Sequence, residues 1–387
     1  MNCKKMSIKG NIVSGDRAGF GEIQIRDSII SDIVFTEEIR KDTSWILPGF
    51  IDLHTHGSGM YNVEEGKSGI CGMADFLPSK GVTSFLPSYS CAPHAELLDF
   101  VKTVRELVEK EPHGARIAGS HLEGPWLAPR FCGGMLPEMI RQPCVKQAQE
   151  YLDAAAGTLK MMTIAPEIPG AFEIIRLLHK NKVTVSCGHS ACPPELLGTA
   201  IRAGVTEICH LFDCYELPED HDEIRQPALT DLALISDRLM KEIIMDGLHV
   251  PPELVILARR AAGASHIIAI TDALQGAGLP EGHFLDCGKP YTIREGELAR
   301  RDEDQIIIGS SLTMNRAFFN MVVKFGFTPE EAALTLSVNP SKQLKIDHWT
   351  GSLQKGKKAD IVVIAPDYLS VQETYIGGKL IYSDATK

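Results

Sequence analysis

Several signals that would place this chain in other classes are missing. No run approaches the ~18 apolar residues of a membrane-spanning helix. The start, Met1-Asn2-Cys3-Lys4-Lys5-Met6-Ser7, leads into neither an apolar stretch nor a small-residue cleavage site. Basic residues do not dominate: 39 Lys and Arg stand against 50 Asp and Glu, a formal charge of −11. Nucleic-acid and anionic-membrane partners, which need clustered cations, are therefore not expected, although a small anionic substrate in a local pocket remains open. The ten cysteines are scattered and form no CxxC pair, which predicts reduced thiols in a cytoplasmic protein. No GxGxxG follows a strand pattern, so a dinucleotide-binding doubly wound sheet is disfavoured. Low-complexity tracts, long linkers and internal repeats are absent as well. Aromatics make up only 6% of the residues, so aliphatic side chains and alanine must fill the core.

What is present is a chain of 387 residues with 44% hydrophobic and 23% charged content, ordinary values for a globular protein. That length accommodates one barrel of about 250 residues and a small accessory domain. Both ends read as short strands between turn residues, at 8–13, 21–25 and 29–35, then at 360–364, 371–376 and 379–382. These ends are expected to pair into one small β-sandwich domain, 1–47 plus 345–387. Between them, over 48–344, apolar runs alternate with amphipathic stretches. Strands are expected at 46–54, 83–87, 116–122, 161–165, 184–187, 207–211, 242–245 and 267–271, with helices at 95–110, 172–180, 194–203 and 251–262. Eight strands with helices between them predict an α/β fold, a (β/α)₈ TIM barrel.

Polar residues fall where those apolar runs end: His54 and His56, His121 and Glu123, His189, His210, Asp246 with His249, and Asp272. Barrel chemistry is built at the C-terminal ends of strands, so these side chains should converge on one mouth. His54 and His56 are two apart on a strand and share a face. Imidazole and carboxylate donors suit Zn or Fe better than Mg, which prefers oxygen alone. Glu123, His189, His210, His54 and His56 are thus candidate ligands for a divalent metal, one or two ions. Each alone could be an ordinary hydrogen-bonded residue; their recurrence on separate strand ends is the signal. Asp272 is the candidate general acid/base, since a mouth carboxylate can take a proton from water and deliver it to a leaving amine. Its bland alternative is a helix N-cap. His121 is expected to orient a neighbouring ligand. His94, His113, His179, His221, His266, His283 and His348 are expected to face solvent. Cys187, Cys209 and Cys214 flank the candidates and are not expected to be ligands.

The segments Pro48-Gly49-Phe50-Ile51-Asp52-Leu53-His54-Thr55-His56-Gly57, His121-Leu122-Glu123-Gly124-Pro125-Trp126 and Gly188-His189-Ser190 resemble the amidohydrolase superfamily. So do Cys209-His210-Leu211-Phe212, Asp246-Gly247-Leu248-His249-Val250 and Thr271-Asp272-Ala273. Within it, the His-Leu-Glu-Gly-Pro and Asp-Gly-Leu-His stretches are similar to the N-acetylglucosamine-6-phosphate deacetylase family. The resemblance runs through Gly309-Ser310-Ser311, Asn339-Pro340-Ser341 and Gly356-Lys357-Lys358-Ala359-Asp360, almost the whole chain. It implies metal ligation by Glu123, His189 and His210, Asp272 as acid/base, and substrate contacts from His249, Asp213, Cys214, Arg225, Ile308 and Ser310. It also implies a homodimer. Some relatives lack the first-strand histidines and use one metal, so His54 and His56 leave room for a second.

Three departures bear on the substrate. Where the family carries a Lys-Gly-Ala-His-like run whose His touches the acyl group, this chain has Phe131-Cys132-Gly133-Gly134-Met135. Where the family has an Asn-Ala-Met-like run near the sugar phosphate, Asp213-Cys214-Tyr215 stands here. The following loop holds Glu216, Glu219, Asp220, Asp222 and Glu223 against the single Arg225, and acidic groups at the mouth would repel a phosphate dianion. Arg225 could supply the phosphate contact across a dimer interface, and a second metal could replace the missing acyl-contacting His. The expected activity is deacetylation of an N-acetylated amino sugar 6-phosphate, of the glucosamine or galactosamine series. The alternatives are hydrolysis of another compact amide, cyclic amide or amidine, and a non-catalytic metal-binding barrel.

Overall fold

The computed structural model describes residues 5–110 and 113–384. Eight parallel strands follow one another round a barrel in chain order: Phe50–Thr55, Val82–Tyr89, Ser120–Glu123, Leu159–Ile164, Thr184–Cys187, Val205–Ile208, Met240–Ile244 and Ile267–Ile270. The ring is nearly closed. Its first and last strands meet just past their ends, where the Asp272 amide donates to the His54 carbonyl at 2.9 Å and the His56 amide to Ala273 at 2.8 Å.

The helices between strands are amphipathic for the usual reason. In Ala171–Lys180 the buried residues Ile174, Ile175 and Leu178 recur at helical spacing and face the sheet. Pro194 and Pro252 open the helices Pro194–Ala203 and Pro252–Ala262, positions where a missing N–H costs little. Aliphatic side chains dominate the core, with Phe50, Phe85, Trp126 and Phe318 as the few large aromatic fillers.

Both chain ends join one separate seven-stranded mixed sheet, in the order Lys379–Ser383, Val371–Ile376, Ile361–Ile364, Trp45–Pro48, Lys5–Ser14, Arg17–Arg26, Ile29–Glu37. It is one continuous hydrogen-bonded sheet that buries its own apolar cluster around Ile12, Ile23, Ile46 and Ile361. The apolar run at 46–54, read as one strand, is two. Trp45–Pro48 belongs to the terminal sheet and Phe50–Thr55 to the barrel, with Gly49 between them. A Cβ at Gly49 would fall 2.2 Å from the Thr83 side chain, so the chain can pass from sheet to barrel here only without one.

A second departure is an insert after the last barrel strand. Gly282–Asp286, Lys289–Ile293 and Arg300–Arg301 form a three-stranded antiparallel sheet over Leu274, Phe284 and Tyr291. Its tight turn places Cys287 and Gly288 at positive φ, 48° and 72°.

Arg116, beside the second barrel strand, clamps barrel to terminal sheet. Its guanidinium meets the Asp360 carboxylate twice, at 2.7 and 2.8 Å, and Asp360 is buried. Arg116→Met leaves that carboxylate without its cation and is expected to cost about 3–5 kcal/mol. A urea midpoint unchanged from wild type would show that the clamp carries no stability.

Candidate active site

Each candidate side chain stands at the C-terminal end of a barrel strand, as read from the sequence. His54 is on the first strand and His56 just beyond it; Glu123 ends the third. His189, His210 and Asp272 lie two residues past the fifth, sixth and eighth strands. His189 and Asp272 hold left-handed backbone, φ 48° and 50°, as do Phe212 and Cys214 at 81° and 60°. Such conformations cost on the order of 1–3 kcal/mol each in non-glycine residues. They persist because hydrogen bonds pin the corners. Asp272 is held between the His54 carbonyl and the Ser310 amide, and the His189 carbonyl accepts from Ala128 at 3.0 Å.

The corners bring four imidazoles onto one carboxylate. Glu123 Oε1 lies 3.0 Å from His210 Nε2, 3.1 Å from His189 Nε2 and 3.4 Å from His54 Nε2, while its Oε2 is 3.4 Å from His56 Nε2. Asp272 Oδ1 faces the same centre, 3.0 Å from His56 Nε2 and 3.5 Å from His54 Nε2. All of these residues are buried.

The outer ring nitrogens fix the tautomers. His189 Nδ1 meets the Phe131 carbonyl at 2.7 Å, His56 Nδ1 meets Ser88 at 2.9 Å, and His210 Nδ1 meets Asp213 at 3.3 Å. His54 Nδ1 faces Glu242 Oε2 at 3.4 Å. Each acceptor holds the proton on Nδ1 and turns the Nε2 lone pair inward. Inward lone pairs repel one another and the carboxylate unless positive charge lies among them. His189 and His210 Nε2 are only 3.1 Å apart, and His54 Nε2 is buried without a hydrogen-bond partner.

The electrostatics carry the same message. Burial works against the charged form of His54, His189 and His210, yet Glu123 and adjoining thiols outweigh it and raise all three well above the ordinary value. Burial should raise Glu123 and Asp272, but the surrounding imidazoles hold both carboxyls low. The donor set fits a divalent cation. It forms two groups, Glu123 with His189 and His210, and His54 with His56 and Glu123, which share Glu123. A third group, His54 with Cys209 and Glu242, lies on the Nδ1 side of His54.

These residues open on a cavity of about 240 Å³ lined by His56, Glu123, His189, His210 and Asp272, and also by Asp213, Cys214 and Ile308. The loop across it comes very close. A Cβ at Gly133 (φ 59°) would fall 2.8 Å from Cys214 Sγ, and Met135 lines the wall. His249 and Ser310 line a neighbouring cavity of about 540 Å³ instead. Asp246 holds His249 Nδ1 at 2.6 Å, leaving Nε2 buried and unpartnered, while the Ser310 hydroxyl donates to the Thr271 carbonyl.

Arg225 is not brought to the cavity within this chain. It sits on an exposed hairpin, Asp220–His221 with Ile224–Arg225, and pairs with Asp231 at 2.9 Å. Glu216 of the acidic loop pairs with Arg130 at 2.8 Å. His121 is buried between Ser88 and Thr163 beside His54. The reading of the remaining histidines as solvent-facing needs correcting at His94, which is half-buried between Glu150 and Tyr151, and at His266, also half-buried.

Sequence reasoning missed Asp286, Cys287, Ile306 and Ile307, which the insert contributes to the lining. Alternation over 282–293 around a turn ending in Gly288 was the available hairpin signal. Burial and Glu64 push Asp286 up to about 6.

A barrel with histidines and carboxylates clustered at its strand ends defines a class, and residues 45–381 match the model of the Amidohydrolase family. The chain belongs to that family. It is 31% identical over 363 residues to the N-acetylgalactosamine-6-phosphate deacetylase of Escherichia coli O157:H7, covering 93% of this chain and 94% of the relative. It is 33% identical to the N-acetylglucosamine-6-phosphate deacetylase of Bacillus subtilis (strain 168), over 90% and 89% of the two chains. Among solved structures, a mutant N-acetyl-D-glucosamine-6-phosphate deacetylase from Mycobacterium smegmatis, in complex with N-acetyl-D-glucosamine-6-phosphate, aligns with a TM-score of 0.88 at 26% identity. That alignment covers 98% of this chain and 100% of the other. Within the amidohydrolases, then, the chain is a member of the amino sugar 6-phosphate deacetylase group, a hydrolase of carbon–nitrogen bonds.

Proposed function

We propose that this chain deacetylates an N-acetylated amino sugar 6-phosphate, of the glucosamine or galactosamine series, releasing acetate and the amino sugar phosphate. The observation that carries the reading is one buried carboxylate, Glu123, within 3.0–3.4 Å of four imidazole Nε2 atoms, with Asp272 facing the same point. Glu123, His189 and His210 would hold one divalent ion, Zn or Fe by donor chemistry, and His54 and His56 with Glu123 a second. When bound, such ions lower the pKa of a water and polarise the acyl carbonyl.

The rest is done by side chains of this chain. Asp272 takes the proton of the attacking water. The water oxygen bonds to the carbonyl carbon, the C–N bond breaks, and Asp272 delivers the proton to the leaving nitrogen. His56 Nε2 and Asp272 Oδ1, 3.0 Å apart, face the same ion position. A substrate that extends from the 240 Å³ cavity into the neighbouring one meets His249 Nε2, its Nδ1 proton held by Asp246. Asp213, Cys214 and Ile308 flank the sugar. Ser310 contributes by holding Asp272 through its amide.

No Lys or Arg is among the residues lining the 240 Å³ cavity, and Asp213 and Asp286 are. That charge favours a second reading, hydrolysis of a cyclic amide or amidine, unless a cation arrives from outside the chain. We place Arg225 in that role, reaching the phosphate from the partner of a homodimer; its exposed hairpin, with Leu217 and Ile224 also exposed, supports this. The described helices include none long and apolar enough to cross a membrane, and nine described cysteines are free thiols, in keeping with a cytoplasmic enzyme.

Amine release from N-acetylglucosamine and N-acetylgalactosamine, each with and without 6-phosphate, and from cyclic amides tests the substrate. Turnover of the cyclic amides alone would overturn the deacetylase reading. Asp272→Asn is expected to lower kcat by about 10²–10⁴-fold with metal content unchanged; retention of a tenth of the activity would remove Asp272 from acid/base duty. Replacing His54 and His56 together by Asn should reduce the bound metal from two ions to one, by elemental analysis. Unchanged stoichiometry would reject a first-strand site.

A further inference from the structure

The seventh strand carries a carboxyl group into the barrel. Glu242 is fully buried between Lys241 and Ile243, and its Oε2 touches both halves of the metal-ligating cluster. It lies 3.4 Å from His54 Nδ1 and accepts from the backbone N–H of His210, also at 3.4 Å. Cys209 Sγ, 3.7 Å from the same His54 nitrogen, is the competing acceptor; a thiol is much the weaker of the two. On the adjoining sixth strand Glu207 is also fully buried, and both its oxygens and Glu242 Oε1 have no donor partner. Two ionised carboxylates side by side in a dry interior repel and are each poorly solvated. Burial, then the charge of Glu242, raises Glu207 well above the carboxylate range.

We infer that Glu242 is a positioning residue, which holds the His54 ring with Nε2 toward Glu123 and Asp272, and that Glu207 backs it from inside the barrel. The inference rests on the reading of His54 as a metal ligand. A bare imidazole on this strand could flip or take the other tautomer, closing its Nε2 to a cation. An acceptor on the Nδ1 side removes that freedom, and such outer partners are typically worth about 10–100-fold in metal affinity. By also taking the His210 amide, the same oxygen ties the two ligand groups together.

The test is metal titration of the apoprotein by competition with a chelator, using Zn²⁺. Glu242→Met combined with Glu207→Met removes both carboxyls and leaves neither unpaired, so the barrel is expected to fold. It should keep the ion of Glu123, His189 and His210 while losing about 10–100-fold in affinity for the ion on the His54 side. Glu242→Gln, whose amide oxygen still accepts from Nδ1–H, should stay within about three-fold of wild type, since what it keeps is the hydrogen bond. A folded double variant that binds two ions as tightly as wild type overturns the inference. A wild-type protein that binds only one ion removes His54 from the ligand set, and the inference with it. Ring-¹⁵N histidine NMR of the zinc-loaded wild type decides independently of any variant: His54 should carry its proton on Nδ1, and an unprotonated Nδ1 overturns the inference.

Discussion

A single carboxylate sets the terms for this molecule. Glu123 is buried at the mouth of an aliphatic barrel, and every nearby group of opposite tendency is an imidazole rather than a lysine or arginine. Taking a carboxylate out of water costs several kcal/mol unless positive charge meets it. Lysine would meet it as a permanent salt bridge and close the centre. Imidazoles with their protons pinned on Nδ1 leave lone pairs pointing inward, and a divalent ion satisfies lone pairs and carboxylate at once. The same arrangement explains why His54 Nε2 is left without a hydrogen-bond partner.

Holding that centre places demands on the backbone. The ligands come from strands far apart in the chain, so their geometry is only as good as the ring of parallel ladders beneath them. The corners that aim them are strained, with His189 and Asp272 both in left-handed conformations. Strain of this kind survives only where surrounding hydrogen bonds over-determine it. The closure of the barrel does so for Asp272: its amide and carbonyl are both engaged, one by the first strand and one by Ser310. Closing the fold and aiming Asp272 are thus one set of hydrogen bonds.

The barrel was legible because it leaves periodic traces, and the same traces pointed to the residues that cluster at its mouth. Aliphatic runs of strand length, most of them ending in His, Glu or Asp, are rare by chance, and the strand alternation already put His54 and His56 on one face. Less was visible where the outcome depends on tertiary context. The run at 46–54 looks uniform, yet Gly49 lets it leave one sheet and enter another. The insert after Ile270 pairs only with itself, over a small cluster of its own, and its contribution of Asp286 to the cavity depends on how it folds back. Glu207 and Glu242 were read simply as strand residues. A charge inside a strand has no local meaning until the neighbouring strand shows that its side chain points inward beside another charge.

The same physics separates the strand ends from the loops around them. Ligands sit on strand ends, whose positions are shared among many ladder hydrogen bonds, so one change there disturbs the whole ring. In the run from Phe131 to Met135 and the loop after His210, Phe131 and Asp213 reach His189 and His210 through backbone carbonyls, which any residue supplies. Those two side chains can change without losing these contacts, and a change at Asp213 alters the charge of the cavity wall. Asp213 can replace a neutral residue while its carbonyl still holds His210. The geometry of the imidazole cluster is thus set by strand ends, and the charge of the cavity wall by the loops around them.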